Sequence, residues 1–303
     1  MQPHRSPVRI EQAVIRVTGD EWRREEDILA VEEPLEIRLR WWDADALIEK
    51  SIAVTMRTPG ADFEMAVGFL FAEGIITSRA DYFDVGYCLD DAELQTFNIV
   101  SVTLMPARTF DMSRLERHFY TTSSCGVCGK ATLEALEVQG CEVLQAGFSV
   151  DPAVLRGLPD TLRDAQAVFE QTGGLHAAGL FDTEGRLLSL REDVGRHNAL
   201  DKVIGEQVSA GQARLDDRIL LLSGRASFEL LQKALMARIS VVASVGAPSS
   251  LAVELAQSFG VTLVGFVRPD GFNIYTHPGR IVGSQVADTA AFTMAPRSHH
   301  VKT

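Results

Sequence analysis

The amino-acid sequence predicts an α/β protein built in two parts, and two patterns along the chain indicate this. From residue 121 onward, helix-favouring segments alternate with short apolar segments, which is typical of a layered α/β domain. Between residues 14 and 104, short segments with the periodicity of strands predominate. We therefore predict a β-rich N-terminal subdomain at 13–120 and an α/β domain at 121–295, with flexible tails at 1–12 and 296–303.

The individual elements follow from local periodicity. In the first part, alternation of apolar and polar residues predicts strands at 12–17, 35–40, 51–56 and 97–104, interrupted by one helix at 62–73. In the second part, apolar runs predict strands at 177–181, 187–191, 218–222, 240–245 and 261–266. The segments between them predict helices at 130–137, 160–172, 199–208, 228–237 and 251–259.

Composition and charge narrow the class of protein. The chain has 303 residues, of which 46% are apolar and 23% charged, so it is long and apolar enough to bury a substantial core. Its formal net charge of −12 argues against a nucleic-acid partner, which would require clustered cations to neutralise phosphates. Because no apolar run has the length of a membrane span and the N-terminus lacks a signal-peptide pattern, we expect a cytoplasmic protein without a membrane partner.

Two of the four cysteines form a C-x-x-C pair. Cys125 and Cys128 follow a run of hydroxyl residues and precede a helix-favouring segment, so the free amides of a first helical turn would favour a thiolate. The ammonium group of Lys130 would add to this effect. Such a pair is typical either of a reactive dithiol or of half a zinc site, and the spacing does not decide between them. We expect Cys88 and Cys141 to be structural or incidental.

Two strand-to-helix loops have the composition of anion sites. After the strand at 218–222 comes the sequence SGRAS, and after the strand at 240–245 comes GAPSS. Both loops lie at carboxyl ends of predicted strands, where helix amides suit phosphate oxygens. We expect Arg225 and Ser227 to bind such an anion, although Ser227, Ser249 or Ser250 could equally serve as helix caps.

A third loop follows the strand at 261–266. Its residues are Phe266, Val267, Arg268, Pro269, Asp270 and Gly271. Arg268 supplies positive charge, Phe266 could stack on a ring, and Asp270 could accept hydrogen bonds from a base such as guanine. A simple turn joining two strands explains the Pro-Asp-Gly sequence as well, and the two interpretations are compatible.

Two further segments carry a high density of polar groups. The first, GGLHAAG at 173–179, places His176 beside two glycines, where it could act as a ligand or a base. The second, EDVGRHNALDK at 192–202, is explained most simply as a charged surface run. Arg196, His197 and Asn198 within it nevertheless have the composition of a pocket wall.

Together these segments resemble the FdhD/NarQ family of formate dehydrogenase accessory sulfurtransferases. The matching runs are SSCGVCGK at 123–130, TGGLHAA at 172–178, EDVGRHNALDK at 192–202, SGRAS at 223–227 and VGFVR at 264–268. The resemblance implies a cytidine deaminase-like three-layer α/β/α sandwich with a smaller β-rich N-terminal subdomain. It also implies a homodimer.

The same resemblance implies a function and its partners. Cys125, assisted by Cys128, would accept persulfide sulfur from a cysteine desulfurase and pass it to a bound substrate. That substrate is the molybdenum cofactor, Mo-bis(molybdopterin guanine dinucleotide), before its insertion into formate dehydrogenase. The loop at 266–271 would contact the guanine dinucleotide part, and no tightly held metal is expected.

The rivals to a sulfurtransferase are of two kinds, a zinc-dependent deaminase and proteins without catalytic activity. Cys125, Cys128 and His176 supply the ligand types of a zinc-dependent deaminase, but that chemistry needs a glutamate two residues after the histidine, where this chain has Ala178. The cysteines also precede the histidine, which is the reverse of the deaminase order. A zinc-binding protein without deaminase activity, or a non-catalytic chaperone that delivers the cofactor, is the other alternative.

Overall fold

The computed structural model describes residues 7–88, 97–106, 141–145 and 147–284. Its strands are β1 (Arg9–Thr18), β2 (Glu21–Ala30), β3 (Glu33–Asp43), β4 (Ala46–Arg57), β5 (Tyr82–Tyr87), β6 (Ile99–Leu104), β7 (His176–Phe181), β8 (Leu187–Asp193), β9 (Ile219–Leu222), β10 (Val241–Ser244), β11 (Thr262–Arg268) and β12 (Gly271–Ile274). Its α-helices are α1 (Asp62–Ala72), α2 (Pro152–Ala165), α3 (Ala167–Thr172), α4 (Arg196–Ser209), α5 (Phe228–Met236) and α6 (Ser250–Ser258). This content confirms the predicted α/β class.

A six-stranded sheet in the order β12-β11-β10-β9-β7-β8 forms the centre of the second part. The strands β9, β10 and β11 are parallel, and β7 runs antiparallel to β9. The central strands are buried on both faces because their sequences are continuously apolar, as in Ile219–Leu222. Because β9, β10 and β11 are parallel and β7 runs in the opposite direction, the carboxyl ends of these three strands meet at one edge of the sheet, beside the start of β7.

Helices cover both faces of this sheet. On one face of the sheet, α2 contributes Leu155, Leu158 and Leu162 to a core cluster. The same cluster contains the strand residues Leu221 and Val241. On the opposite face α4, α5 and α6 pack against a second core cluster that contains the alternate strand residues. The period of two along each strand thus divides the interior into two cores.

A four-stranded sheet in the order β4-β3-β6-β5 lies beyond α1, and β1 and β2 form a separate two-stranded hairpin. The junction between the two larger sheets is the packing of α1 on α4. A Cβ atom on Gly68 would lie 1.9 Å from the backbone oxygen of Asp201, and one on Gly205 would lie 1.7 Å from the backbone oxygen of Glu64. The two helices are therefore in direct backbone contact, and only glycine permits it.

A buried arginine fixes the segment at 141–145 within the α/β domain. Arg280 is 3% exposed, and its guanidinium donates to the carbonyl oxygens of Leu144 at 3.0 Å, Gln145 at 2.9 Å and Gly260 at 2.7 Å. Burial lowers the pKa of Arg280 because no carboxylate accompanies it in these contacts. The segment at 141–145 is thereby bound to the end of the central sheet.

Most of the elements expected from the sequence are present at their predicted positions, and three corrections are needed. The helix predicted at 160–172 is two helices: α2 begins at Pro152, capped by Asp151, continues through Pro159, and is separated from α3 at Gln166. Because a proline usually interrupts a helix, the sequence favoured a helix that begins after Pro159. The strands β2, β5 and β12 were not among the predicted elements.

The third correction concerns the N-terminal tail. β1 begins at Arg9 and pairs with β2 from Arg9 opposite Ala30, so residues 9–12 are strand rather than tail. The helix predicted at 130–137, the tail at 296–303 and both cysteines of the C-x-x-C pair lie outside the described residues. None of the helices in the described ranges has both the length and the apolar composition required to span a membrane.

We predict that Gly205→Ala destabilises the protein by about 3 kcal/mol or more, because the new methyl group must displace the backbone of α1. Urea unfolding followed by circular dichroism measures this free energy. Gly157→Ala is the matched control, since Gly157 also lies within a helix but a Cβ there would meet nothing within 4 Å. Equal stability of the two variants would contradict the proposed backbone contact.

Candidate functional site

Three segments lie against one another at the carboxyl edge of the central sheet. They are the loop after β9, the loop after β10 and the end of β11. The amide of Gly246 donates to the carbonyl oxygen of Gly224 at 2.9 Å, and that of Ala226 donates to Ala247 at 3.2 Å. The amide of Phe266 donates to the carbonyl oxygen of Gly246 at 3.2 Å. These backbone bonds extend the sheet beyond its last regular residues and hold the sequence-predicted anion loops together.

Close approach of these loops depends on glycine. A Cβ atom on Gly246 would lie 2.9 Å from the carbonyl group of Gly224, and one on Gly265 would lie 2.9 Å from Cδ of Pro248. Any larger residue at either position would push the loops apart. The sheet edge is thus fixed by its backbone, independently of a ligand.

Phe266 occupies an unusual position on this edge. Its φ of 54° lies in the left-handed region, which is uncommon for an aromatic residue, and its side chain is 44% exposed. The register between β11 and β12 shifts between Gly265 and Arg268, so a β-bulge accompanies this conformation. Bulges and strained backbone of this kind occur beside functional sites because they redirect side chains.

A cleft of about 600 Å³ opens between this edge and the helices α2 and α3. Three residues of the predicted cofactor loop contribute to its lining, namely Val267, Arg268 and Pro269. One side-chain nitrogen of Arg268 donates to the carbonyl oxygens of Val245 and Val267, each at 2.8 Å. Phe266, Asp270, Gly271, Arg225 and Ser227 are not among the described residues that line this cleft.

The opposite wall of the cleft is formed mostly by residues whose sequence had not indicated a binding site. Its residues belong to α2, α3 and the following glycine turn: Pro159, Asp160, Leu162, Arg163, Gln166, Phe169, Gly173, Gly174 and Leu175. Nothing in the local sequence of α2 distinguishes it from an ordinary amphipathic helix. The run at 173–176 is the one part of this wall that the sequence had singled out.

A second group of polar residues lies on the other side of the sheet edge, where α4 and α5 begin. The ring nitrogen Nε2 of His197 lies 2.7 Å from a carboxylate oxygen of Glu229. This contact with His197 lowers the pKa of Glu229. Burial lowers the pKa of His176 below its ordinary value of 6.5, and the nearby Arg196 and His197 act in the same direction.

Ser227 does not act as the helix cap that one interpretation of the sequence allowed. It precedes α5, but its hydroxyl accepts no capping hydrogen bond, and Oγ is buried without a partner among the described residues. Arg196 Nε is in the same situation. Ser249, in contrast, caps α6 by accepting a hydrogen bond from the amide of Ala252 at 3.2 Å. Ser227 and Arg196 thus retain unused hydrogen-bonding capacity, and Arg196 lies near His176.

The segment at 192–202 is mainly structural. Asp193 is fully buried, and its carboxylate oxygens lie 2.6 Å from Lys202 Nζ and 2.9 Å from Asn198 Nδ2. Lys202 also donates to the carbonyl oxygen of Thr58 at 2.8 Å, and the Asn198 amide donates to that of Met56 at 2.7 Å. The expectation that Asn198 belongs to a pocket wall is therefore wrong, since its amide joins α4 to the end of β4.

Other residues of this segment also serve the fold. The carboxylate of Glu192 accepts hydrogen bonds from the amides of Val168 at 3.0 Å and Phe169 at 2.7 Å, at the start of α3. Asp201 pairs with Lys233 of α5 at 2.8 Å, although burial raises the pKa of Asp201. Arg196 and His197 are the residues of the segment that are left facing the candidate site.

The two cysteines that the structure describes are placed away from this edge. Cys141 is half-buried with Sγ 3.4 Å from Sδ of Met236, and burial raises the pKa of its thiol. Arg40 Nη2 lies 3.6 Å from Cys88 Sγ. Within the described ranges, no three His, Cys, Asp or Glu residues are grouped as a metal site.

Comparison with known proteins gives a consistent result. The FdhD/NarQ family model matches residues 30–282. Sulfur carrier protein FdhD of Mycobacterium bovis is 48% identical over 278 residues, covering 88% of this chain and 96% of that protein. Sulfur carrier protein FdhD of Streptomyces avermitilis is 47% identical over 274 residues, covering 88% and 94%.

A solved structure has the same fold. It is the crystal structure of a candidate formate dehydrogenase accessory protein from Desulfotalea psychrophila, with a TM-score of 0.69 and 25% sequence identity. The aligned region covers 91% of this chain and 100% of the Desulfotalea psychrophila chain. The mixed α/β fold is thereby confirmed, while the more specific cytidine deaminase-like arrangement stays a prediction.

We predict that Lys202→Met lowers the free energy of unfolding by about 3–5 kcal/mol, because it leaves the carboxylate of Asp193 buried without its cation. Urea unfolding measures the loss. Arg23→Ala serves as a control, since Arg23 and Glu21 form an exposed ion pair worth about 1 kcal/mol or less. A Lys202→Met protein as stable as this control would show that the buried pair does not join α4 to β4.

We also predict a pH dependence of stability that originates at His176. Its pKa is lower in the folded protein than its ordinary value of 6.5, so the unfolded chain takes up the proton first as pH falls. This contribution to stability should therefore decrease as pH falls from above 6.5 to the lowered folded pKa. His176→Gln should flatten that part of the profile, as measured by thermal unfolding between pH 4.5 and 8. An unchanged profile would contradict the burial of a neutral His176.

Proposed function

The chain belongs to the FdhD/NarQ family, and from this membership we propose that it is a sulfur carrier required for formate dehydrogenase activity. The observation that carries the proposal is the match, over 88% of the chain, to relatives named sulfur carrier proteins. The described structure contributes a preformed sheet edge with a cleft beside it. We place the chain in the cytoplasm, as a homodimer.

In the first step, Cys125 receives sulfur from a cysteine desulfurase. The Cys125 thiolate attacks the terminal sulfur of the desulfurase persulfide, a new S–S bond forms on Cys125, and the desulfurase cysteine leaves as a thiolate. The exchange consumes no oxidant or reductant. It requires Cys125 to be ionised, which the hydroxyl-rich flank and Lys130 favour.

In the second step, Cys128 releases the sulfur. The Cys128 thiolate attacks Cys125 Sγ, so a Cys125–Cys128 disulfide forms and the terminal sulfur departs as hydrosulfide with both electrons of the broken bond. The molybdenum of the bound Mo-bis(molybdopterin guanine dinucleotide) accepts this sulfide as a ligand. Two equivalents of a cellular thiol then reduce the disulfide in two exchange steps and leave as their own disulfide. This scheme gives the C-x-x-C spacing a chemical purpose.

The cofactor is the substrate and cargo of this reaction, and we assign its binding to the sheet edge. Phe266, Val267, Arg268, Pro269, Asp270 and Gly271 would contact its guanine dinucleotide part, with Arg225 and Ser227 assisting. Three observations support this assignment. Backbone hydrogen bonds join the loops there, Ser227 Oγ has no partner within the described residues, and Phe266 is exposed. Local cations would attract an anionic ligand to a chain whose net charge is −12.

The rival functions differ from sulfur transfer in the residues that they require. A zinc-dependent deaminase needs a glutamate at position 178, and Ala178 is fully buried within β7. A chaperone that only delivers the cofactor would share the cleft but would not require Cys125. These two functions are separated from sulfur transfer by whether sulfur is carried on the chain.

We predict that incubation with a cysteine desulfurase and cysteine adds sulfur atoms to the wild-type chain in intact-protein mass spectrometry. The additions should be removed by reductant, because they are persulfides. Cys125→Ala should carry none. Cys128→Ala should still be loaded, and it should retain its sulfur longer in the presence of cofactor.

Cys141→Ala is the control for this experiment, because the raised pKa of its half-buried thiol makes it a poor acceptor. It should load like the wild type. Loading that survives in Cys125→Ala, or that never occurs in the wild type, would refute the relay. The cofactor-delivery chaperone would then be the better account if formate dehydrogenase is still activated.

A further inference from the structure

The hairpin of β1 and β2, which we call the arm, has two faces of different composition. One face is charged, with Arg16 paired to Glu25 at 2.6 Å and Arg23 paired to Glu21 at 2.7 Å. The other face carries exposed apolar side chains near the tip of the arm, namely Ile15, Val17 and Trp22. Trp22 is 72% exposed. Strands that alternate in this way normally bury their apolar face against other residues.

The arm is held to the rest of the chain at its base. Arg9 donates a hydrogen bond to the side chain of Gln171 in α3, and the amide of Val31 donates to the carbonyl oxygen of Val8 at 3.0 Å. Each strand has 10 residues, so at about 3.4 Å per residue the arm is about 34 Å long. A two-stranded hairpin is marginally stable by itself, and large exposed apolar patches mark interaction sites. The apolar tip therefore calls for a partner surface.

A second exposed apolar surface lies on β4, the edge strand of the four-stranded sheet. Val54 is 68% exposed, Met56 is exposed on the same face, and Pro34 lies directly opposite Met56. We call these three residues the β4 patch. The chain returns to the base of the arm shortly after β4, since a Cβ atom on Gly60 would lie 4.0 Å from Cγ1 of Val8. The two apolar surfaces thus start from neighbouring parts of the molecule.

The charges beside the two surfaces are opposite in sign. Arg24 lies opposite Ile15 on the apolar face of the arm and forms no ion pair with any residue that the structure describes. Glu36 lies opposite Val54, beside the β4 patch. Two copies of a chain with a net charge of −12 repel each other unless opposite charges meet locally. An arm of one copy on the β4 patch of another satisfies this condition.

We propose that the arm of each chain docks on the β4 patch of a second copy, so that two copies exchange arms about a two-fold axis. Trp22 covers Val54 of the other copy, and Arg24 approaches its Glu36. Because the symmetry makes this contact twice, the two small surfaces together reach the roughly 1,000 Å² that a specific interface requires. This inference rests on the homodimer of the proposed function and assigns its interface.

Sedimentation velocity of the purified full chain tests the interface. The wild type should sediment as a dimer. Trp22→Glu should weaken the dimer at least about 100-fold, because it places a charge in an apolar contact that is made twice. Phe83→Glu is the matched control, since Phe83 is 69% exposed on β5 at the other edge of the four-stranded sheet, and it should leave the dimer intact.

The patch is tested by Val54→Glu, which should weaken the dimer as Trp22→Glu does. An equimolar mixture of the two variants should form dimers again, because one of its two contacts joins an intact arm to an intact patch. Native mass spectrometry detects these mixed dimers when one variant carries an affinity tag that changes its mass. Thermal unfolding verifies that both variants are folded, which we expect because both side chains are exposed.

The outcomes separate this inference from the proposed sulfur transfer. A Trp22→Glu chain that dimerises like the wild type overturns the inference, and so does a mixture of the two variants that stays monomeric. A monomeric wild type also overturns it, and if Trp22→Glu then loses persulfide loading by a cysteine desulfurase, the arm docks the sulfur donor instead. Loading of Cys125 in the wild type is measured separately, so its failure refutes the sulfur transfer and leaves the interface standing.

Discussion

The backbone contact between α1 and α4 is the constraint on which the rest of the molecule depends. Gly68 and Gly205 let the two helices meet without side chains between them, so the four-stranded sheet and the six-stranded sheet share one core cluster. Close helix approach leaves little room for adjustment. The orientation of α4, and with it the direction in which Arg196 and His197 point, is therefore set by residues far from the sheet edge.

Buried charge completes this junction. The cluster of Asp193, Lys202 and Asn198 binds the end of β4 through the backbone at positions 56–58. Such a cluster is costly to desolvate, and its hydrogen bonds are what make it tolerable. Because this cluster, with Glu192 and Asp201, uses most of the ionisable groups of the segment at 192–202, only Arg196 and His197 at the start of α4 lie outside these contacts. A segment with the composition of a binding loop thus serves mostly to hold two parts of the protein together.

The sequence predicted the central sheet well and the cleft only in part, and the difference has a physical basis. Strands such as Ile219–Leu222 and Val241–Ser244 are buried on both faces, so local composition alone identifies them. The glycine-rich and arginine-bearing loops at their carboxyl ends were likewise visible, because these residues directly follow the apolar runs. The helical wall of the cleft was not visible, because it arises from the packing of α2 and α3 across the sheet. Likewise, no local signal indicates that Asn198 bonds to Met56, 142 residues away.

The buried guanidinium of Arg280 limits how far from the central sheet the C-x-x-C pair can lie. It anchors the chain at Leu144, which lies 19 residues after Cys125 and 16 residues after Cys128. Fully extended chains of these lengths span at most about 68 Å and about 58 Å. Each cysteine therefore lies within its own distance of Leu144, whose amide donates to the carbonyl oxygen of Phe259. Under the proposed relay, the sulfur donor and the sulfur acceptor would both have to be bound within that distance.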